Sequence, residues 1–386
     1  MTTTGFNSAY LKAGKACKSG VHERLFIMKV SLRIRMILII SAGICLMPGL
    51  TTAASAYISV LLYHRFDENR FSTTTTSSTQ FDLQMEYLMS HGYIVLSMDQ
   101  LADCVEGKRP VPEKGVIITI DDGFISEYDK AVPILRKYHF PFCIFVFAHG
   151  IGVKNYMSWE QLKQLESWGG KVGCHTYTHP RLINLTEKEI EQEVKGSKET
   201  LEKNLGRRVK YFAYPYGQYN DTVRAVAKHA GFRLMLTSDP GSVGAGAEFD
   251  RIPRQAVVGA EMSLNDFARK LMNPPLPMTW RFPKSGMLAS DTIPEVSITL
   301  KDPGLYDPGR INLFLSEKKR LNAQFDSRTG VLSCKGPFHL TRKTNRIIVT
   351  AKRKSDGLFA MDSYLIVIPR TWSGMKYTMN NVTHER

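Results

Sequence analysis

V-I-I-T-I-D-D-G-F, Val116 to Phe124, is the stretch that decides the fold. Val116 to Ile120 is short, apolar or β-branched throughout, and bounded by Gly115 and Gly123. Such a run reads as a strand buried on both faces, the kind that parallel sheets use. Asp121 and Asp122 follow at its carboxyl end, and in α/β proteins that end carries the active site. Successive residues of an extended chain point in opposite directions, so the two carboxylates take different tasks. Downstream, G-C-H-T-Y-T-H-P sets His175 and His179 just after a second, glycine-containing strand. A catalytic zinc-type site needs three nitrogen or oxygen ligands and an open position for water. His175, His179 and one aspartate fill that count, and the other aspartate is left to handle a proton.

Strand and helix patterns alternate on either side of this stretch. Ile58 to Tyr63, Tyr93 to Leu96, Phe142 to Phe147, Lys171 to Cys174, Tyr211 to Ala213 and Arg233 to Leu236 read as further strands. Between them lie amphipathic segments with start signals, such as the capping boxes Ser158-x-x-Gln161 and Thr186-x-x-Glu189. The alternation predicts an α/β domain built on a parallel sheet. Ser72 to Thr79 is low in complexity and is expected as a loop beside His64, and Ser263 to Met272 as the last helix of this domain.

Helical periodicity stops at Asn273. Pro274, Pro275 and Pro277 read as a stiff linker, expected over residues 274–290. Short strands follow at Val296 to Leu300, Ile311 to Leu315, Gly330 to Ser333, Ile347 to Ala351 and Tyr364 to Ile368. The turns Asp302-Pro303-Gly304 and Asp307-Pro308-Gly309 separate them. This pattern predicts a small all-β sandwich over residues 291–370, similar in cadence to bacterial immunoglobulin-like modules and open to polymer or partner binding, or to a spacer role. The tail over residues 371–386 is expected to be disordered.

With its motifs in this order, the chain resembles the polysaccharide deacetylases, carbohydrate esterase family 4 with its NodB homology domain. V-I-I-T-I-D-D-G-F, H-T-Y-T-H-P and F-A-Y-P-Y-G match the first three family motifs. S-V-L-L-Y-H-R-F and F-D-L-Q-M-E-Y-L-M-S-H-G-Y-I-V-L-S resemble the circularly permuted branch that contains the poly-β-1,6-N-acetylglucosamine deacetylases of biofilm formation. The similarity spans Ile58 to Asn273. It implies a distorted (β/α) barrel over residues 57–273 that hydrolyses N-acetyl groups of a polysaccharide. It also implies that Asp121 is the catalytic base, that Asp122, His175 and His179 bind the metal, and that His64 is the general acid. A histidine suits that last role because its ordinary pKa of about 6.5 lets it carry a proton near neutral pH.

The third motif departs from the family. Ala213 stands where many members carry an arginine that orients the base, and Arg254 in D-R-I-P-R-Q-A-V is the first candidate to replace it, Arg251 the second. Tyr216 matches the position whose backbone N–H binds the oxyanion, with Tyr214 and Pro215 expected along the same wall. The metal suits zinc, with cobalt, nickel or iron as alternatives. Peptidoglycan or chitin-type substrates compete with poly-N-acetylglucosamine, and Ala213 also motivates a non-catalytic carbohydrate-binding or assembly protein on a degenerate fold.

Lys29, Arg33 and Arg35 precede an uncharged apolar stretch from Met36 to Leu50, and Ala54-Ser55-Ala56 makes an A-x-A site. This is the pattern of a secretory signal peptide over residues 1–56, with an uncleaved membrane anchor as the alternative. Either predicts a periplasmic, cell-surface or extracellular protein, whose β-domain is free to contact the envelope or an export machinery. The chain of 386 residues has a net charge of +15, and without residues 1–56 the balance is 44 minus 35, or +9. No basic run interleaved with aromatics points to nucleic acid. Cys104, Cys143, Cys174 and Cys334 are too scattered for a disulfide framework. Neither a G-x-S-x-G elbow nor a phosphate-binding G-x-x-x-x-G-K-[ST] loop occurs.

Overall fold

Eight parallel strands carry the first half of the chain, and the decisive stretch lies at their centre. β1 (Ile58–Tyr63), β2 (Arg65–Phe66), β3 (Thr75–Thr76), β4 (Ile94–Val95), β5 (Gly115–Asp122), β6 (Phe142–Val146), β7 (Gly170–Cys174), β8 (Tyr211–Ala213), β9 (Leu234–Leu236) and β10 (Gln255–Ala256) appear in that order. All but β2 and β3 join one sheet, ordered β10-β1-β5-β6-β7-β8-β9, with β4 paired to the start of β5. β5 is buried along its length except at Asp122, which is why its sequence runs apolar without alternation. The computed structural model describes residues 56–259 and 262–369. All of these lie within one folded unit, Ala54–Arg386. The leader expected over residues 1–56, Ala56 apart, and the tail expected after Arg370 lie outside the described residues.

Helices α1 (Ser78–Ser90), α2 (Met98–Val105), α3 (Val132–Lys137), α4 (Trp159–Ser167), α5 (Glu187–Leu205), α6 (Asp221–His229) and α7 (Leu264–Leu271) alternate with the strands. The expected capping boxes open α4 and α5. α5 buries Ile190, Val194, Ser197 and Leu201, a stripe at helical spacing that lies on the sheet, and ends where Gly206 turns left-handed at φ 70°. The sheet is a curled parallel one, consistent with a deacetylase-type (β/α) barrel.

Two expectations are corrected here. Ser72 to Thr79 is not a plain loop: Thr75 and Thr76 pair with Arg65 and Phe66, and Ser77 caps α1. Residues 274–290 are not a plain linker either. They hold β11 (Met278–Phe282) and β12 (Gly286–Met287), because each finds a neighbouring strand to satisfy its backbone.

β13 (Thr292–Leu300), β14 (Tyr306–Leu315), β15 (Lys319–Leu321), β16 (Gln324–Asp326), β17 (Val331–His339), β18 (Thr344–Arg353) and β19 (Phe359–Val367) follow. They form a four-stranded sheet, β11-β13-β17-β16, and a five-stranded one, β12-β19-β18-β14-β15. The sheets share a core that includes Val296, Ile298, Leu332, Leu313, Val349 and Ile366. β19 serves two cores, since Tyr364 and Ile366 face the sandwich whereas Leu365 and Val367 belong to the barrel core. That alternation is the two-residue period of a strand buried on both sides.

Candidate active site

The site forms at the carboxyl ends of β1, β5 and β7 and is closed by residues after β8 and before β10. Tyr63 of β1 is in register with Ile120 of β5, so His64, just past the end of β1, comes beside Asp121, still paired within β5. Asp122 takes φ 92° and Gly123 φ 83°. A Cβ at Gly123 would meet Val146 Cγ1 at 2.8 Å, so only glycine lets the turn lie this close to β6. Glu127 fixes the turn from below, its Oε1 accepting from the Gly123 and Phe124 N–H groups at 2.9 Å each. Burial pushes the Glu127 carboxyl well above its ordinary range.

Arg254 lies flat against Asp121. Its Nη1 donates to Asp121 Oδ1 at 2.8 Å and its Nη2 to Asp121 Oδ2 at 2.7 Å, while Nη1 also reaches Thr119 Oγ1 at 3.2 Å. Nε donates to the Thr237 carbonyl at 2.7 Å. Burial alone would raise the Asp121 carboxyl, but the charge and hydrogen bonds of Arg254 outweigh it and hold its pKa at about 2. Asp121 is therefore ionised at neutral pH. Arg251, the second candidate, faces elsewhere, with Nη1 on the Ser363 carbonyl at 2.7 Å.

Asp122, His175 and His179 converge. One ligand atom from each lies within 4.8 Å of the others, with His179 Nε2 at 3.4 Å and His175 Nε2 at 3.7 Å from Asp122 Oδ1. His175 Nδ1 sits 2.7 Å from the Ala213 carbonyl, which fixes its hydrogen on that nitrogen and aims the Nε2 lone pair at the cluster. Burial lowers the His175 pKa to about 4 and keeps the ring neutral, as a ligand must be. A carboxylate oxygen and two imidazole nitrogens are the donor set of a divalent metal site, so these residues fit one.

The histidine loop is strained and braced. Thr176 and His179 have φ of 71° and 62°. Glu193 of α5 accepts from the N–H groups of Tyr177 and Thr178 at 2.9 and 2.8 Å and from Thr178 Oγ1 at 2.5 Å. Ser197, one turn on, donates to the Thr176 carbonyl at 2.7 Å. Left-handed, non-glycine backbone persists only where its surroundings over-determine it, and here α5 does so.

Tyr216 follows Pro215 with φ 59°, its ring 4.7 Å from that of His179 and under the Arg181 guanidinium at 4.0 Å. Tyr214 departs from the expected wall. It is fully buried in the barrel core and its hydroxyl donates to the Asp250 carbonyl at 3.0 Å, so it packs rather than faces the site. His64 Nδ1 is buried without a hydrogen-bond partner among the described residues. Sequence reasoning missed Glu127, Glu193, Ser197 and Thr237. Only Ser197 carried a signal, its place at helical spacing on the α5 stripe.

A family model described as polysaccharide deacetylase matches residues 108–235. Over 191 residues the chain is 28% identical to YxkH of Bacillus subtilis, covering 50% of this chain and 68% of that one. Over 213 residues it is 26% identical to the poly-β-1,6-N-acetyl-D-glucosamine N-deacetylase of Staphylococcus aureus, covering 51% and 73%. IcaB from Ammonifex degensii superimposes with a TM-score of 0.52 at 29% identity, over 56% of this chain and 97% of that one.

Proposed function

This chain carries a hydrolase domain of the polysaccharide deacetylase family, and on that premise we propose that it removes N-acetyl groups from an N-acetylhexosamine polymer, of the poly-N-acetylglucosamine type, with a divalent metal. The observation that carries the reading is the convergence of Asp122, His175 and His179 beside an Asp121 held ionised by Arg254. The naming of the Staphylococcus aureus relative supports the choice of polymer.

Asp122, His175 and His179 would hold the metal, zinc by preference. When bound, the metal supplies Lewis acidity toward an amide carbonyl and makes water a better nucleophile. Asp121 orients the attacking water and takes its proton, its own orientation set by the two-point grip of Arg254. The Tyr216 N–H donates to the oxyanion as the carbonyl becomes tetrahedral. His64 gives a proton to the departing nitrogen as the C–N bond breaks, leaving acetate and a free amine.

The leader read from the sequence puts this work outside the cytoplasmic membrane, and the two C-terminal sheets are read as an immunoglobulin-like sandwich. The test is acetate release by the chain from Tyr57 onward, given β-1,6-linked and β-1,4-linked N-acetylglucosamine oligomers, with and without chelator. Chelator-sensitive release with preference for the β-1,6 linkage is expected. Preference for β-1,4 oligomers would move the substrate to chitin or wall glycan, and no release from any acetylated glycan would overturn the reading.

A further inference from the structure

The loop between β9 and β10 holds Arg254 by both main chain and side chain. The Arg254 N–H donates to the Asp239 carbonyl at 3.0 Å, and Nε donates to the Thr237 carbonyl at 2.7 Å. The Asp239 N–H in turn donates to Thr237 Oγ1 at 3.1 Å, tying the two anchors together. Asp239 has no exposed surface. Its carboxylate is satisfied from two sides, by the Tyr219 hydroxyl at 2.7 Å and by Nε of Arg346 at 2.9 Å.

Arg346 belongs to β18, in the C-terminal sheets, 107 residues further along. Neighbouring strand β19 adds to the same grip. Ser363 Oγ donates to the Pro240 carbonyl at 2.7 Å, and the Leu365 N–H donates to the Tyr219 hydroxyl at 3.3 Å. A line of contacts thus runs from Arg346 through Asp239 to Arg254 and ends on Asp121.

We propose that Arg346 is a positioning residue for the Arg254–Asp121 pair, so that the C-terminal sheets complete the active site of the barrel rather than serve as a separate module. The physical reason is the burial of Asp239. Without Arg346 its charge loses its ion-pair partner and keeps only the longer-range attraction of Arg251, and removing one partner of such a pair is far more disruptive than replacing both. Relief requires the loop at 237–240 to move toward solvent, and that loop carries both anchors of Arg254. A displacement of about 1 Å at a reacting group costs on the order of 10²-fold in rate.

This inference rests on the deacetylase reading, so its test has one arm that needs no turnover. In the full chain, Arg346→Gln, Arg346→Lys and the double variant Asp239→Asn with Arg346→Gln are compared with Arg281→Gln. Arg281 pairs with Glu248 and Asp362, between barrel and sheets, without touching the loop at 237–240. Hydrogen exchange at the Thr237, Asp239 and Arg254 amides, which make the hydrogen bonds of this anchor, should quicken in Arg346→Gln and stay near wild type in Arg281→Gln. For acetate release, Arg346→Gln should lower kcat at least ten-fold with KM within about two-fold and metal content unchanged. Arg346→Lys and the double variant should both recover part of that loss. Equal exchange and equal kcat in Arg346→Gln and Arg281→Gln would overturn the proposal, as would a loss in Arg346→Gln that falls on KM alone. A wild type that releases no acetate would instead remove the functional reading, and the exchange arm would still decide whether Arg346 holds the loop.

Discussion

The guanidinium of Arg254 and the carboxylate of Asp121 meet through two parallel hydrogen bonds of 2.8 and 2.7 Å, with both groups buried. Two-point contact fixes the plane of the carboxylate as well as its charge. Arg254→Met should cost about 3–5 kcal/mol of stability, because a buried Asp121 is left unpaired. It should also lower kcat by about 10²-fold through loss of orientation. Arg254→Lys should recover charge but not the two-point geometry, and so little of the rate. Denaturant unfolding and acetate release on the same preparations check both, and a wild-type kcat in Arg254→Met would exclude the orienting role.

Base and metal ligand should separate by mutation. Asp121→Asn is expected to stop turnover and keep the metal, whereas His175→Ala should lose both. Metal content by mass spectrometry beside the acetate assay makes the comparison, and acetate release at wild-type rate from Asp121→Asn would sink the assignment.

His64→Ala should slow turnover by about 10²- to 10⁴-fold, the usual worth of a positioned proton donor. Its metal content should match wild type, since His64 lies outside the converging ligand set. A substrate with a better leaving amine should narrow the difference, and an equal deficit on both substrates would argue against proton donation.

Glu193 touches no metal ligand side chain, yet it holds Tyr177 and Thr178 between His175 and His179. Glu193→Ala should weaken zinc binding about 10- to 100-fold, the range seen when outer partners of ligands are removed. Competition with a chromogenic chelator measures this, and unchanged affinity would mean the loop keeps its shape without α5.

Acid should weaken the fold through Asp250. Burial would raise its carboxyl, but hydrogen bonds and charge from Arg224 and Lys228 bring it below its usual value of 3.8. With the folded pKa depressed, the contribution is fully present above the unfolded value and disappears as pH falls through the folded one. Wild type should therefore lose more stability than Asp250→Asn between about pH 5 and pH 2, by urea unfolding. Parallel curves would show that the cluster contributes nothing.

Local patterns carried most of the fold and part of the site. The apolar run before Asp121, the capping boxes of α4 and α5 and the glycines around the motifs act over a few residues, so they can be read directly. Tyr214 misled because a motif aromatic can serve the core as easily as the site, and only burial distinguishes the two. Residues 274–290 misled because their prolines hide two short strands whose partners lie about 15 to 80 residues away, at β13 and β19. Glu193, Asp239 and Arg346 left no local sign, since a polar residue on a helix, loop or strand looks solvated until the element opposite it is known.

The pairing of Asp121 with Arg254 spans 133 residues of sequence, and the Arg346 contact extends the dependence by almost another hundred. Synthesis delivers these parts in order, the two aspartates and both histidines well before either arginine. A chain still on the ribosome can therefore display every metal-binding side chain while its base has nothing to hold it. On the proposed reading, hydrolytic competence arrives late, with the last sheets, and a fragment cut between His179 and those sheets would carry the three candidate ligands without a braced base.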